Sequence, residues 1–402
     1  MTKPEIEQVK IVIIGGGPAG KEAAFAARKQ DPSCSIILLS GEPYYPYYRP
    51  MLTQYLSEEL NEKRFYLTNS HSYVEQNIEV HLNDPVISIM AEQKEVITQS
   101  NQRYSYDRLI LAMGSSNFVP FPNACKKEGV FSIRTYDDAR QVKEYMNKAK
   151  KAVIIGGGLL GLEAAWELRL KGLDVTVVEL MDRILPLQLD SMSSAHLKNI
   201  IESKEIHLIL GKAVKQILGE EKVSGIELED GSCFPCDMVL FSVGIRPNIQ
   251  LAKDLNLETH RGIIVNEAME TSIPTIYAAG DVAEFQGKVA GIWMPALLQG
   301  RVAGANAAGG STLYPPPTPS TILSAFETRI FSVGDVGHVH PEKSYECLTI
   351  DNPEKMIHHQ LFFLNDQLVG GILTGDIRHS TKLMKEIDNK IAMKEAKNLF
   401  TV

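Results

Sequence analysis

The same order of apolar and polar segments occurs at two places along the chain. At each place a short apolar run ends in three glycines, an alanine- and leucine-rich stretch follows, and a second apolar run comes next. Such runs are typical of buried parallel strands joined by a helix. The predicted strand, helix and strand are Val12–Ile14, Lys21–Lys29 and Ser35–Ser40 at the first place, and Val153–Ile155, Leu162–Lys171 and Asp174–Glu179 at the second.

The two places are copies of one sequence motif. Residues 12–24 read VIIGGGPAGKEAA and residues 153–165 read VIIGGGLLGLEAA, so ten of the thirteen positions are identical at an offset of 141 residues. Solenoid repeats recur at shorter spacing and more than twice. Two distant copies therefore predict two domains of one architecture.

Each glycine-rich loop has the context of a dinucleotide site. The first glycine allows a tight turn, the second lets the backbone approach a pyrophosphate, and the third lets the helix pack closely. The amides and dipole of the helix N-terminus then face the phosphates. A glycine-rich turn without a ligand is the alternative, and two complete units weaken it. The predicted residues are Gly15, Gly17, Pro18, Ala19 and Gly20 in the first loop and Gly156, Gly158, Leu159, Leu160 and Gly161 in the second.

Length and composition narrow the class of protein. The 402 residues are enough for two or three domains, and the net charge of -8 argues against nonspecific nucleic-acid binding. Five cysteines do not suggest a secreted disulfide framework. No apolar run approaches the roughly 18–20 residues of a membrane span, and the first ten residues lack a signal-peptide block. We expect a cytoplasmic protein without membrane or nucleic-acid partners.

Four further segments give the chain its resemblance to a known family. They are Leu109–Ser115, Val243–Asn248, Thr275–Val282, and Gln299 with Gly300. Together with the glycine loops they resemble FAD- and NAD(P)H-dependent pyridine-nucleotide oxidoreductases with two Rossmann domains. The resemblance covers essentially the whole chain. It implies FAD on the first loop and a nicotinamide dinucleotide on the second.

The resemblance implies roles for individual residues. Asp281 is expected to bond the FAD ribitol, Val86 to meet the adenine through its backbone, and Arg134 to reach the pyrophosphate with its guanidinium. Trp293 and Pro295 are expected to precede a helix whose positive end stabilises the reduced flavin. The alternatives are a strand-end aspartate that caps the next turn for Asp281, a core valine for Val86, a surface ion pair for Arg134 and core packing for Trp293. The other expected FAD or dinucleotide contacts are Ser40, Glu42, Arg49, Pro50, Ala112, Gly114, Gln299 and Gly244.

Two acidic residues bear on the second ligand. Glu163 follows the second loop and by resemblance lies near the nicotinamide, so we predict Glu163 and Arg49 as catalytic; a helix-surface glutamate is the alternative. Glu179, at the end of the predicted strand, is suited to accept from ribose hydroxyls and to repel the extra phosphate of NADPH. This favours NADH, although Arg183 lies four residues further on.

The predicted fold is α/β, with two Rossmann-like domains and a small α+β C-terminal domain. The FAD-binding domain is expected at residues 1–118 and 247–316, the NAD-binding domain at 119–246, and the C-terminal domain at 317–402 after a proline-rich linker. Such C-terminal units often join two subunits, so a homodimer stays open. In this last domain we predict strands at Thr328–Val333, Tyr345–Ile350, Met356–Leu364 and Gln367–Leu373, a turn at Asn365–Asp366 and a helix at Thr381–Asn389.

Cysteine usage decides between subclasses of this family. Disulfide-reducing relatives carry a redox cysteine in the segment that corresponds to residues 42–55, and this segment has none. Cys233 and Cys236 form a CxxC, but it follows the second loop, in a hairpin predicted from Gly225–Leu228 and Cys236–Ser242. We interpret these cysteines as ordinary strand thiols. A metal site at His338 and His340 is disfavoured, and no metal is predicted.

Without a redox thiol, electrons must leave the flavin directly. The segment Tyr48–Leu52 resembles the flavin-side segment of ferredoxin- and rubredoxin-reductase-like members and of the flavoprotein portion of assimilatory nitrite reductases. Ferredoxin-serving relatives often carry a lysine just after it, where this chain has Thr53 and Gln54. We therefore expect transfer from NADH to FAD and then to a rubredoxin-like or ferredoxin-like protein. The alternatives are an NADH oxidase and a redox-sensing or assembly flavoprotein.

Overall fold

A computed structural model describes residues 8–337, 342–355 and 357–400. The chain divides into two compact units. The first unit comprises Met1–Arg49, Leu60–Asn117 and Gly244–Pro317, and the second comprises Pro50–Glu59, Phe118–Val243 and Thr318–Val402. The domain boundaries that we expect from sequence stay a prediction.

The first unit is built on a five-stranded parallel sheet, called here the first sheet. In spatial order its strands are Ile276–Ala278, Arg108–Leu111, Lys10–Ile14, Ser35–Leu39 and Ile78–His81. Its central strand is buried on both faces, because Ile11, Val12 and Ile13 are fully inaccessible to solvent. This two-sided burial explains the unbroken apolar run in the sequence.

Smaller elements complete the first unit. Val86–Met90, Glu95–Thr98 and Arg103–Ser105 form an antiparallel sheet, Ser115–Asn117 pairs with Ile245–Pro247, and Ile263–Val265 pairs with Ala283–Phe285. Its helices are Pro18–Gln30, Glu62–Phe65, Ser70–Glu75, Gln250–Asp254 and Trp293–Ala307.

The second unit contains another five-stranded parallel sheet, the second sheet. Its order is Ile206–Leu210, Asp174–Glu179, Lys151–Ile155, Met238–Phe241 and Val130–Ser132. An antiparallel sheet of Val214–Leu218, Gly225–Leu228 and Cys233–Pro235 belongs to the same unit. The helices are Tyr136–Tyr145, Leu159–Leu170 and Ser191–Ser203, and short 3₁₀ turns occur at Gln54–Leu56, Ala124–Lys126 and Met146–Lys148.

The C-terminal part of the second unit is a five-stranded antiparallel sheet, the C-terminal sheet. Its order is Ser320–Ala325, Thr328–Gly334, Gln367–Thr374, Ile357–Leu364 and Glu346–Asn352. Helices Ser380–Asn389 and Met393–Leu399 follow. Each predicted strand overlaps an observed one, and Asn365 and Asp366 adopt the positive φ of a tight hairpin turn. Strand Ser320–Ala325 and the last helix were not predicted. His338 and His340 lie outside the described residues.

Three predictions of local structure need correction. Gly225–Leu228 pairs with Cys233–Pro235, and Met238–Phe241 instead lies inside the second sheet. All four residues of that strand are buried, which suits a parallel strand with both faces covered. Both glycine-loop helices begin earlier than predicted, at Pro18 and Leu159. Trp293 and Pro295 lie within the first turn of their helix, where proline is tolerated because the amides there have no intrahelical partner.

The α/β fold class predicted from the sequence is confirmed. Among the described residues no helix is long and apolar enough to cross a membrane. Within the same residues, no group of three or more histidine, cysteine or acidic side chains is arranged to hold a metal ion.

Candidate functional site

The first glycine loop lies at the carboxyl edge of the first sheet. Gly15 has a φ of +121°, and a Cβ built there would stand 2.1 Å from the carbonyl oxygen of Ala112. A side chain is therefore excluded at this position. A Cβ on Gly17 meets nothing within 4 Å. The loop is thus packed against its neighbour at the first glycine and open at the glycine expected to approach a phosphate.

The helix that follows this loop offers its amino end to a ligand. Pro18 begins the helix, Gly17 is its N-cap residue, and the first turn carries no acidic side chain. Its amides are not engaged by a side-chain cap, and the helix dipole favours an anion there. Ala19 and Gly20 lie in the same turn and are buried. These features fit the pyrophosphate of a dinucleotide.

The residues after strand Ser35–Leu39 form a hydrogen-bonded loop. The Glu42 amide donates to the Ser40 hydroxyl at 3.2 Å, and the Tyr47 hydroxyl donates to the Glu42 carboxylate at 2.6 Å. The Glu42 carboxylate also forms an ion pair with Arg49. Burial lowers the pKa of Arg49, but the neighbouring Tyr47 and Glu42 outweigh it and raise that pKa above its ordinary value. Glu42 is thus held by protein groups, a pairing that sequence reasoning did not foresee.

Val86 lies close to this loop. The amide of Asp84 donates to the carbonyl of Ser40 at 3.0 Å, and the amide of Asn83 donates to the carbonyl of Glu42 at 3.0 Å. Val86 begins its strand two residues later. The structure therefore brings Val86 beside the residues that follow strand Ser35–Leu39.

Asp281 stands at the same edge of the first sheet. It follows strand Ile276–Ala278, and its carboxylate accepts a hydrogen bond from the Ser115 hydroxyl at 3.0 Å. The Gln299 side chain accepts from the Gly280 amide at 2.9 Å, which ties the Trp293–Ala307 helix to this turn. Carboxyl ends of parallel strands are where ligands bind in open α/β sheets.

Other residues with expected FAD contacts lie in the same unit. The Trp293 ring meets the Tyr48 ring edge-on, with centroids 4.8 Å apart. The Gly114 carbonyl accepts from the Asn248 amide at 3.0 Å, and Ala112 is buried. Pro50 and Arg134 belong to the second unit. Their expected contacts with FAD stay a prediction.

The second glycine loop repeats the first in its geometry. Gly156 has a φ of +113°, and a Cβ there would stand 2.2 Å from the Ser242 carbonyl oxygen, whereas Gly158 is open. The Glu179 carboxylate accepts from the Gly157 amide at 2.6 Å and from the Met181 amide at 2.8 Å. This acid is therefore fixed against the loop, with lone pairs remaining for ribose hydroxyls.

The segment after Glu179 contains further candidate contacts. Arg183 donates to the Pro186 carbonyl at 3.3 Å and pairs with Asp182 at 3.4 Å, so it is held by its own loop. Exposed apolar side chains occur on the helix after the second loop and in the segment after Glu179, and they suit the flat face of an adenine. They are Leu160, Leu180, Met181 and Leu187. Sequence reasoning identified only Leu160, although apolar residues directly after a strand-end acid were a usable signal.

Glu163 lies on the helix that follows the second loop. Its carboxylate accepts a hydrogen bond from the hydroxyl of Thr53 at 3.1 Å, and Thr53 is buried. The pKa of Glu163 is raised to about 7, mainly by burial; the Thr53 hydrogen bond acts in the opposite direction and the charge of Glu167 in the same one. From the sequence, Thr53 stands out only because it replaces a lysine found in relatives. Its bond to Glu163 was not predicted, because 110 residues separate the two partners.

The last residues singled out from the sequence are Gly244, Cys233 and Cys236. Gly244 follows the second sheet, has a φ of +100° and is exposed. Cys233 is exposed and Cys236 is buried, and both are free thiols. Burial raises the pKa of the Cys236 thiol to about 12, which makes its thiolate scarce at neutral pH. This environment is unlike that of a redox-active pair.

Each of the two parallel sheets carries a glycine loop that is open at its second glycine and leads into the N-terminus of a helix. This is the architecture of an FAD- and NAD(P)H-dependent oxidoreductase. The chain belongs to the pyridine nucleotide-disulphide oxidoreductase family, whose model matches residues 9–310. Residues 319–391 match the rubredoxin NAD+ reductase C-terminal domain. The predicted family is confirmed, and so are FAD and a nicotinamide dinucleotide as its cofactors.

Curated relatives resemble nearly the whole chain. It is 33% identical over 395 residues to a nitrite reductase [NAD(P)H] of Bacillus subtilis, covering 97% of this chain but 48% of that protein. It is 32% identical over 386 residues to an NADH-rubredoxin oxidoreductase of Clostridium acetobutylicum, covering 96% of both. The chain thus spans about half the length of the nitrite reductase.

Solved structures give the same fold. A ferredoxin reductase from Rhodopseudomonas palustris superposes with a TM-score of 0.88 at 27% identity, covering 96% of both chains. The NADH:rubredoxin oxidoreductase from Clostridium acetobutylicum gives 0.79 at 30% identity, covering 98% of this chain and all of that one.

Proposed function

We propose that this chain transfers a hydride from NADH to FAD and then passes electrons one at a time to a small iron protein of the rubredoxin or ferredoxin type. When bound, the flavin accepts an electron pair from the nicotinamide and releases single electrons, which nicotinamide cannot do. The protein binds and orients the two cofactors. Glu163 and Arg49 are the side chains that we propose to act at the reacting ends.

One observation carries this proposal. Residues 42–55 contain no cysteine, and the segment instead contains the cluster of Glu42, Tyr47 and Arg49. A thiol relay to a disulfide substrate is chemically impossible there. The match of residues 319–391 to the rubredoxin reductase C-terminal domain, and the similarity to an NADH-rubredoxin oxidoreductase over the whole chain, support an iron-protein acceptor.

The test is an anaerobic stopped-flow series. FAD-loaded protein is reduced with NADH and then mixed with rubredoxin, ferredoxin or an artificial dye. We expect at least one iron protein to be reduced faster than NADH is consumed in air without a carrier. Dye reduction without reduction of either carrier would overturn the acceptor class. Rapid NADH consumption in air would indicate an oxidase, as in the NADH oxidase of Methanocaldococcus jannaschii, which is 31% identical over 342 residues.

A variant without the CxxC pair is the matched control. Replacing Cys233 by serine and Cys236 by alanine removes the CxxC pair without touching either glycine loop. Carrier reduction should stay within about twofold of the unmodified protein, since the exposed Cys233 and the buried Cys236 both lie outside the glycine loops and each replacement changes the side-chain volume little. Loss of carrier reduction with intact flavin reduction would assign the electron exit to these thiols. A cytoplasmic location and pairing of two copies belong to the same proposal, and sedimentation velocity tests the pairing.

A further inference from the structure

Two parallel hydrogen bonds join the segment Pro50–Glu59 to the helix Leu159–Leu170. The hydroxyl of Thr53 donates to Glu163, and the hydroxyl of Ser57 donates to Glu167. Both hydroxyls and both carboxylates are four residues apart, so each pair lies about one helical turn from the other. All four residues belong to the second unit. The matched spacing fixes the register of the segment on the helix.

The donors in this ladder are neutral. Thr53 is 4% exposed and contributes a hydroxyl, which compensates the partly buried Glu163 carboxylate less than a cation would. The charged group that acts on Glu163 is Glu167 on its own helix, a like charge. Glu58 and Lys171 act on Glu167 with opposite signs. Within the described residues no ion pair includes Glu163, so its negative form lacks a countercharge.

Burial without a countercharge favours the protonated carboxyl. The pKa of Glu163 is raised to about 7, and burial is the main cause. A protonated carboxyl can donate a hydrogen bond, whereas an ionised one only accepts. Glu163 therefore changes from donor to acceptor within the pH range in which an enzyme normally works.

We propose that Thr53 is a positioning residue that orients the Glu163 carboxyl group, and that this carboxyl group in its protonated form donates a hydrogen bond to the carboxamide oxygen of the bound nicotinamide. This proposal rests on the proposed function, in which Glu163 lies near the nicotinamide. The Thr53 hydroxyl orients the carboxyl group, and the lack of a cation keeps the proton on it. NADH binding and flavin reduction then weaken as pH rises through neutrality.

The test follows flavin absorbance in single-turnover reactions of the FAD-loaded protein with NADH between pH 5.5 and 9. The flavin-reduction rate at limiting NADH should fall about tenfold around pH 7, the effect of one hydrogen bond. Thr53→Lys should move this midpoint down by at least about one pH unit, because a cation favours the ionised carboxylate. Thr53→Val should move it upward, and Glu163→Gln should abolish it. Ser57→Ala, on the other bond of the ladder, should leave the midpoint in place.

A second readout is independent of turnover. Infrared difference spectra of the FAD-loaded protein, without NADH, should show a protonated carboxyl band that titrates near pH 7 and is missing in Glu163→Gln. Thr53→Lys should remove the band at pH 7. A pH-independent rate, or a band unaffected by Thr53→Lys, would overturn the proposal. Neither readout uses an iron protein, so a wrong acceptor class would leave both results interpretable.

Discussion

The two glycine loops are nearly identical in sequence and backbone, yet their surroundings differ. Gly15 and Gly156 have φ values of +121° and +113°, and each would clash with a carbonyl oxygen if it carried a Cβ. At the end of the next strand the first unit has Ser40, whereas the second has Glu179, which binds its own loop. The common backbone suits the pyrophosphate that both expected ligands share, and we propose that the residue at the end of the neighbouring strand distinguishes the two ligands.

The largest expected effect comes from adding a methyl group at the first glycine of either loop. Gly15→Ala and Gly156→Ala combine a positive φ with a Cβ about 2 Å from backbone oxygen. We expect each to destabilise its own unit by about 3 kcal/mol or more. Urea unfolding measures the loss, with one tryptophan in each unit, Trp293 and Trp166, as a local reporter.

Alanine at the second glycine is the matched control. Gly17→Ala and Gly158→Ala add the same methyl group where nothing lies within 4 Å. Their free energies of unfolding should change by less than about 0.5 kcal/mol, whereas FAD or NADH binding should weaken at least tenfold. If Gly17→Ala bound FAD normally, this glycine would not be the point at which the backbone meets the pyrophosphate.

Local patterns were enough to predict the two loops and the strands that flank them. Val12–Ile14 and Val153–Ile155 are unbroken apolar runs, and only a strand buried on both faces explains them. The hairpin after Gly225 was partly wrong, because Met238–Phe241 is an equally apolar run. Its choice between a hairpin and the second sheet depends on tertiary packing, which adjacent residues do not reveal.

The site was less predictable where partners are distant in sequence. Glu179 is predicted as a ribose contact from its spacing after the loop, but its bonds to Gly157 and Met181 were not predicted. Thr53 and Glu163 are 110 residues apart, and no local pattern connects a hydroxyl with a carboxylate over that distance. The pairing of Glu42 with Arg49 likewise depends on how the intervening loop closes.

Removing the Glu179 carboxylate should give the next largest effect. Glu179→Ala loses the acceptor for ribose hydroxyls and leaves two loop amides without a partner. We expect the Kd of NADH to rise about 10- to 100-fold and the preference for NADH over NADPH to shrink. Isothermal titration with both nucleotides measures the change. Ser40→Ala, the corresponding change in the first unit, should alter FAD affinity much less.

The opposite result would remove the distinction between the loops. If Glu179→Ala kept its preference for NADH, discrimination would have to come from another group, and Arg183, four residues further on, is a cationic candidate. A double variant, Glu179→Ala with Arg183→Ala, would then separate repulsion by the carboxylate from attraction by the guanidinium. Tighter NADPH binding in the single variant than in the double variant would identify Arg183 as a phosphate contact.

The smallest effect concerns a histidine pair in the second unit. His196, on helix Ser191–Ser203, stacks on His358 of the C-terminal sheet, with ring centroids 5.4 Å apart, and His358 lies 2.6 Å from Asp351. Burial lowers the pKa of His196, with His358 as a further cause, while Asp351 raises it. Because the folded pKa lies below the ordinary value of 6.5, the unfolded chain binds more protons in acid. Stability should therefore fall as pH drops below about 6.5.

The ring of His196 is only partly buried, so we expect a loss of less than about 1 kcal/mol between pH 7 and pH 5.5. His196→Phe keeps an aromatic ring but cannot titrate, and it should reduce this acid sensitivity; His207→Gln, at an exposed histidine of the same unit, should not. In a Trp293→Phe background the tryptophan fluorescence comes from Trp166 alone. Its ring packs against Phe326 of the C-terminal part, with ring centroids 5.6 Å apart. Equal acid sensitivity in the His196→Phe protein would show that the acid response of the second unit does not come from His196.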